Sequence, residues 1–223
     1  MKDRIWELDA IRGLCILAMV AVHLVYDLQI PTGPAFAFVQ SWGGVLFFLL
    51  SGLCATLGSH PVKRGLLVFG AGVLCTAVTW SLSTLSFLPR DMVIRFGVLH
   101  CLGLCMLLWP VFQKLPDWLL AALGAALAAL GIYLTQAVYV PFSGFAWLGL
   151  LYPAYSSADY FPLLPYLGFF LLGAVLGRVL YGKKRSLLPG IGNFRFFRAL
   201  QWCGRHSLIL YLLHQPVLML LFL

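Results

Sequence analysis

The first apolar segment of the chain, LDAIRGLCILAMVAVHLVYDL at positions 8–28, contains four ionisable residues, Asp9, Arg12, His23 and Asp27. The step from Arg12 to His23 turns an α-helix by about 1100°, which leaves the two side chains within about 20° of each other and about 16 Å apart along the axis. Asp9 lies three residues before Arg12 and Asp27 four after His23. The spacing therefore predicts one polar stripe along one helix face.

An ionisable side chain at bilayer depth costs several kcal/mol unless it faces a cavity or a partner, so the stripe is predicted to border a polar channel. The imidazole of His23 is suited to proton transfer near neutral pH and to nucleophilic catalysis. A structural interpretation stays open for the other three residues. Asp9 and Arg12 are also typical of a helix-end pair at the interface, and Asp27 of a helix cap. His23 lies too deep for such an explanation.

The elements that position this stripe are predicted to be membrane helices. Of the 223 residues 62% are hydrophobic and 10% charged, with a mean hydropathy of +0.96, whereas soluble domains are about half apolar and about a quarter charged. A spanning helix needs about 20 mostly apolar residues. Seven windows qualify, approximately 10–30, 42–59, 65–88, 96–112, 118–139, 162–181 and 207–223. The prediction is an all-α polytopic bundle of about seven transmembrane helices, forming a single domain over residues 1–223.

The basic residues predict the orientation of the bundle. Of the 15 lysines and arginines, all except Arg90 and Arg95 fall on one side of the predicted membrane. They are Lys2, Arg4, Arg12, Lys63, Arg64, Lys114, Arg178, Lys183, Lys184, Arg185, Arg195, Arg198 and Arg205. The positive-inside rule therefore predicts a cytoplasmic N-terminus. This topology accounts for the net charge of +8, with anionic lipid headgroups rather than nucleic acid as neighbours.

Other polar residues are predicted to lie near the depth of His23. His100 begins the fourth window after Arg95, Asp159 ends the outward connection at 140–162, and His214 lies within the last window. A single membrane histidine is more often structural than catalytic, but three near one leaflet favour a site. The aromatic residues of 140–162 indicate an interfacial belt, with a sugar-stacking platform as the alternative.

Small residues and cysteines complete the pattern. Ala121, Ala125 and Ala129 recur at four-residue spacing, as do Gly173 and Gly177, which favours close helix packing or a homodimer. Cys101 and Cys105 lie one helical turn apart without further ligands, so no metal site is predicted.

Several motifs together resemble a known family. The pieces LDAIRGLCILAMVAVH and WGGVLFFLLSG resemble the first two helices of the membrane acyltransferases, including the acyltransferase-3 proteins. The pieces FGVLHCLG, DYFPLLPYLGFFLLGAVLG and GRHSLILYLLHQP are most similar to small bacterial members of the heparan-α-glucosaminide N-acetyltransferase catalytic-domain family. The resemblance spans most of the chain.

The resemblance implies a multi-pass enzyme of the bacterial inner membrane that moves an acyl group, most simply acetyl, from cytoplasmic acyl-CoA to an amino sugar or glycan outside. It needs no metal. His23 is then the base or the nucleophile, with Asp27 orienting it. Arg12, Lys63 and Arg64 are predicted to bind the donor, near the cluster at 183–185, although topology alone also explains the surface lysines. The acceptor residues are predicted to be His100, Arg95, Asp159 and His214.

Two other classes of protein stay open. A transporter or flippase also needs an ionisable stripe through a bundle, although the chain lacks an internal repeat. A non-catalytic membrane subunit would use the same polar residues to hold its helices together. Binding and turnover of acyl-CoA distinguish an enzyme from both.

Overall fold

The computed structural model of the protein describes residues 4–142 and 144–222, so that Lys2 lies outside the described part. Within this part the chain forms α-helices and no β-strand, which confirms the all-α prediction. The helices are α1 (Trp6–Asp27), α2 (Pro34–Leu57), α3 (Pro61–Thr84), α4 (Val98–Phe112), α5 (Asp117–Ala137), α6 (Leu163–Tyr181), α7 (Arg195–Arg205) and α8 (Ser207–Phe222). Short 3-10 turns at Arg90–Met92, Ala146–Leu148 and Ile191–Asn193 lie in the connections.

Each predicted window contains a helix, but the helices differ in their capacity to span a membrane. Helices α1, α2, α3, α5 and α6 are long and apolar enough, and α7 with α8 adds a sixth candidate if the pair, bent by 84°, is one span. Helix α4 has 15 residues, about 22 Å at 1.5 Å per residue against a hydrocarbon core of about 30 Å. It is short because the chain is still extended at Gly97. The protein is thus a multi-pass membrane protein, while the count of seven spans and the orientation stay predictions.

The chain divides into two compact units. The first contains Met1–Leu50 and Leu180–Leu223, and the second contains Ser51–Val179. A single domain over the whole chain stays a prediction. The stripe residues of α1 and the last two helices belong to the first unit, whereas α3, α4 and α5 belong to the second.

In the first unit α1 packs against α7 and α8. The α1–α7 crossing depends on two glycines that bring the backbones into contact. A Cβ atom on Gly204 would lie 1.8 Å from the backbone oxygen of Asp9, and one on Gly13 would lie 2.0 Å from that of Leu200. No other residue type fits either position without moving a backbone, so the sequence fixes the crossing point through glycine.

In the second unit small residues bring α5 and α6 together. Gly124, Ala128 and Gly131 are the small buried residues of α5, and a Cβ atom on Gly168 of α6 would lie 2.4 Å from the backbone nitrogen of Ala128. The packing row therefore lies one position away from the expected alanine row. Ala125 and Ala129 of that expected row are exposed.

Candidate active site

Two histidines of the first unit are in contact. The rings of His23 on α1 and His214 on α8 have centroids 4.8 Å apart and planes inclined at 67°, an edge-to-face arrangement. Both side chains are half-buried. The sequence predicts different roles for them, one in catalysis and one in acceptor binding, and the structure brings them together.

A hydrogen bond joins the same two helices one turn away. Gln215 follows His214 in the chain, and its Nε2 atom donates to Oδ2 of Asp27 at 3.0 Å. Asp27 is the fourth residue after His23, so a single turn of α1 contributes both contacts. The hydrogen bond holds α8 against α1 beside the imidazole rings. The role of Asp27 in orienting His23 stays a prediction.

At the other end of the stripe, Asp9 lies among three guanidinium groups. Its carboxylate oxygens are 3.4 Å from Nη1 of Arg12, 3.8 Å from Nη1 of Arg4 and 3.8 Å from Nε of Arg205. Asp9 is buried, and the side chain of Arg12 is only 23% exposed. One carboxylate leaves two of the three positive charges unbalanced. The cluster is therefore an electrostatically favourable place for an anion such as a phosphate.

Arg205 continues this positive surface onto α7. A groove of about 410 Å³ is lined by Arg195, Arg198, Ala199, Trp202 and Arg205. Guanidinium groups bind phosphate oxygens in bidentate fashion, and an exposed indole offers a flat apolar face. From the sequence, topology alone accounts for these arginines. Their helical spacing, with Arg195, Arg198 and Trp202 on one face, was the signal of a basic amphipathic helix.

The start of α1 also holds the basic connection that precedes α7. The buried carboxylate of Glu7 accepts hydrogen bonds from the hydroxyl of Ser186 at 2.8 Å and from the backbone N–H of Leu187 at 2.7 Å. The indole of Trp6 donates to the carbonyl of Leu188 at 2.9 Å. These contacts anchor the connection just after the cluster at 183–185, whose side chains are exposed.

Lys63 and Arg64, the other predicted donor ligands, lie in the second unit. Both are exposed in the first turn of α3, which begins at Pro61. Arg64 is close to Gly58, where a Cβ atom would lie 2.7 Å from its Nη1. Their assignment to donor binding stays a prediction. Their positions make the N-terminal end of α3 a basic surface.

His100 in the second unit is buried among aromatic rings and has partners at both ring nitrogens. Its Nδ1 accepts the backbone N–H of Gly97 at 3.2 Å, which places the hydrogen of the neutral ring on Nε2, 3.3 Å from the hydroxyl of Thr76. Phe96 stacks on the ring at 5.5 Å, and Phe69 meets it edge-on at 5.6 Å. These contacts are typical of a histidine that fixes the packing of α3 on α4.

Asp159 and Arg95 organise the connections around the start of α4. Oδ2 of Asp159 accepts the N–H of Val98 at 2.9 Å, so the carboxylate lies at the helix N-terminus where negative charge is favoured. Arg95 donates from Nη1 to the hydroxyl of Tyr152 at 3.0 Å and lies 5.8 Å from the centre of the Tyr155 ring. Asp159 and Arg95, two of the predicted acceptor residues, therefore belong to one layer of loops, formed by the connections before α4 and before α6.

Tyrosines form much of this layer. The Tyr160 hydroxyl donates to the carbonyl of Ala146 at 2.7 Å, and its ring lies 5.0 Å from that of Tyr155. Burial raises the pKa of the Tyr160 hydroxyl far above its usual range, and the neighbouring Tyr155 raises it further. Burial also raises the pKa of Tyr155, while the neighbouring Ser157 and the charge of Arg95 oppose that effect. The layer is thus an aromatic surface beside the exposed cation Arg95.

The structure distributes the predicted site residues between the two units. Arg12, His23, Asp27 and His214 belong to the first, and Lys63, Arg64, Arg95, His100 and Asp159 to the second. Within residues 4–142 and 144–222 no group of three or more histidine, cysteine, aspartate or glutamate side chains is arranged to hold a metal ion.

Comparison with known proteins places the chain in a family. No curated protein and no solved structure matches the chain. The sequence model of one protein family, described as heparan-alpha-glucosaminide N-acetyltransferase, catalytic, matches residues 4–216. The match includes every predicted site residue and seven of the eight helices in full. The chain therefore belongs to the heparan-alpha-glucosaminide N-acetyltransferase catalytic family, and is a membrane acyltransferase with transmembrane helices.

Proposed function

We propose that the protein transfers an acyl group, most simply acetyl, from cytoplasmic acyl-CoA to an amino sugar or glycan on the other side of the membrane. The observation that carries this proposal is the half-buried His23, which lies in an apolar helix of an acyltransferase chain and contacts a second imidazole at 4.8 Å. An ionisable group in such a helix is expected to have a functional role.

In this proposal His23 is the general base. It removes the proton from the acceptor's amine or hydroxyl as that atom attacks the thioester carbonyl carbon. The C–S bond then breaks, and the electron pair leaves with the CoA sulfur. Asp27, fixed by Gln215, holds the helix turn that carries His23. A nucleophilic His23 that forms an acyl-imidazole is the competing route, and mass spectrometry of the protein during turnover distinguishes it.

The donor's phosphates are assigned to the Asp9 cluster and the α7 groove. Arg12 and Arg205 share the carboxylate of Asp9, so an anion bound in the groove lies beside the start of the stripe. Several guanidinium groups suit a ligand that carries several phosphates. Lys63 and Arg64 are a second basic surface for which the same role was predicted.

Arg95 and the tyrosine layer are assigned to the acceptor. Arg95 is exposed beside the aromatic faces of Tyr152 and Tyr155, and aromatic faces with a few polar groups suit a sugar ring. His100 and Asp159 support this layer through the start of α4. We further propose that the chain resides in a bacterial inner membrane with its N-terminus in the cytoplasm.

The test uses the purified full chain, radiolabelled acetyl-CoA and glucosamine as acceptor. His23→Ala is expected to abolish transfer, whereas His60→Ala, at an exposed position before α3, is the matched control and is expected to leave transfer unchanged. Wild-type turnover in the His23→Ala protein would remove His23 from the mechanism.

A second pair of variants tests the donor site. Arg12→Ala is expected to weaken acetyl-CoA binding at least tenfold, because a charge-assisted contact to phosphate contributes about 1.5–3 kcal/mol. Arg90→Ala, an exposed arginine outside the cluster, is the control. An unchanged dissociation constant for Arg12→Ala would exclude Arg12 from the donor site. Failure of the wild-type protein to bind CoA would favour a transporter or a structural subunit.

A further inference from the structure

The mechanism proposed above involves a second proton transfer for which no residue has yet been named. When the C–S bond of the donor breaks, the departing CoA thiolate acquires a proton to become the free thiol. His23 could return the same proton to sulfur only by reaching both reacting atoms in turn, whereas a second proton-bearing group allows both transfers in one step. A group beside His23 that is able to hold a proton would complete the reaction.

His214 is such a group, and two contacts hold it in place. Its ring meets the ring of His23 edge to face at 4.8 Å, and the next residue, Gln215, is hydrogen-bonded to Asp27 at 3.0 Å. The two helices are therefore joined at consecutive positions of α8 and within one turn of α1. At a centroid separation of 4.8 Å the two imidazoles are near enough to exchange a proton through a bridging water molecule or after rotation of a ring.

The hydrogen bonding of His214 determines which of its nitrogens exchanges protons. Nδ1 is hydrogen-bonded to the backbone carbonyl of Tyr211. A carbonyl oxygen only accepts, so Nδ1 carries a hydrogen in both the neutral and the protonated ring. Proton exchange by His214 is therefore assigned to Nε2. The Tyr211 contact also fixes the direction of the ring on α8.

We propose that His214 is a second catalytic residue, which donates the proton that the CoA sulfur acquires while His23 takes the proton of the acceptor. The inference rests on the proposed acyl transfer. The new bond forms between the acceptor atom and the carbonyl carbon, the C–S bond breaks, and the sulfur takes a proton from Nε2 of His214. The proton taken by His23 then passes to His214, which restores the pair for the next turnover.

The charges of the two rings are consistent with this cycle. Two imidazolium ions at this separation would repel each other, so the pair is suited to holding one extra proton rather than two. The cycle begins with that proton on His214 and reaches the end of the chemical step with it on His23. No metal or further cofactor enters the balance of the reaction.

The experiment compares His214→Gln, His23→Gln and the control His60→Gln in the purified full chain, with acetyl-CoA and glucosamine as substrates. His214→Gln is expected to lower kcat by about 100-fold or more, with little change in the dissociation constant of acetyl-CoA. The kcat of the double variant His23→Gln/His214→Gln is expected to be only slightly lower than that of the less active single variant, since the two groups act in one step. Unimpaired acetyl-CoA binding establishes that each variant is folded.

A second donor separates a catalytic role from a structural one. An aryl thioacetate has a thiolate that leaves without protonation, so the ratio of wild-type to His214→Gln turnover is expected to fall at least tenfold with this donor. Equal losses with both donors, or wild-type turnover with acetyl-CoA, would overturn the assignment. Full activity of His214→Gln beside an inactive His23→Gln would refute only this inference. Full activity of both would also remove His23 from the mechanism, whereas failure of the wild-type protein to transfer the acetyl group would refute the proposed function.

Discussion

Replacing Gly204 with alanine tests the crossing of α7 over α1, which positions Arg205 beside Asp9. The new Cβ atom would lie 1.8 Å from the backbone oxygen of Asp9, whereas ordinary contacts begin at 3.4 Å. The helices would have to separate by the difference, about 1.6 Å, because backbone atoms have no alternative rotamer. A Cβ atom on Gly13 of α1 would lie 2.0 Å from the backbone oxygen of Leu200, so the helices cannot relieve the contact by shifting toward that side.

The expected loss of stability follows from two opposing effects. Overpacking a well-packed contact costs about 1–3 kcal/mol, and a backbone contact belongs at the upper end of that range. Alanine offsets about 1 kcal/mol through its higher helix propensity. Gly204→Ala should therefore lower the free energy of unfolding by about 2 kcal/mol. It should also weaken acetyl-CoA binding, because the shift moves Arg205 away from Asp9.

The assay is thermal unfolding of the purified protein in detergent, followed by intrinsic tryptophan fluorescence. Gly70→Ala is the matched control, since Gly70 lies within α3 and a Cβ atom there would meet nothing within 4 Å. That control should be as stable as the wild type or about 1 kcal/mol more stable. If Gly204→Ala unfolds at the wild-type temperature while Gly70→Ala behaves as expected, the contact between α1 and α7 is wrong.

Three further perturbations test other contacts. Glu7→Ala removes the acceptor of the Leu187 N–H, so it should cost about 1–3 kcal/mol and speed tryptic cleavage at the neighbouring lysines; an unchanged digestion rate would argue against this anchor. Asp159→Ala removes the carboxylate that accepts the N–H of Val98 and should lower stability by about 1 kcal/mol in thermal unfolding, with a smaller loss for Asp159→Asn. Because burial raises the pKa of Tyr160, the contribution of this residue to stability should be constant below the ordinary value of about 10 and fall as pH rises above it. Tyr160→Phe should reduce that alkaline loss, which pH titration of unfolding measures.

Hydropathy was sufficient to place a helix in every window but not to set all the ends. The fourth window was expected to begin at residue 96, yet α4 begins at Val98 because Gly97 is extended. Apolar composition does not distinguish an extended segment from the first turn of a helix. Helix α7 was assigned to a basic connection because its arginines and aromatic residues alternate around a short helix, which lowers its mean hydropathy.

For the candidate site, the sequence predicted relations within one helix but not contacts between helices. Helical spacing predicted the common face of Arg12 and His23, since that relation depends only on residues of one helix. It did not predict that His214 meets His23, or that Gln215 rather than another residue would bind Asp27. Such pairs are set by the packing of distant helices, for which a single sequence holds no distance information. His100 shows the converse case, in which a polar residue suggested a site and the structure gives it partners within a packed core.

The contacts between α1 and the later helices also have a consequence for biosynthesis. Glu7 is bound by Ser186 across 179 residues, and Asp27 by Gln215 across 188. A ribosome adds about 5–20 residues per second, so these partners are synthesised about 9–38 s after the residues of α1 that they bind. During this time its carboxylates, guanidinium group and imidazole reside in the nascent state without the surfaces that later receive them. Until α7 and α8 arrive, the polar face of α1 therefore needs other partners, and the translocon or an insertase is the natural source of them.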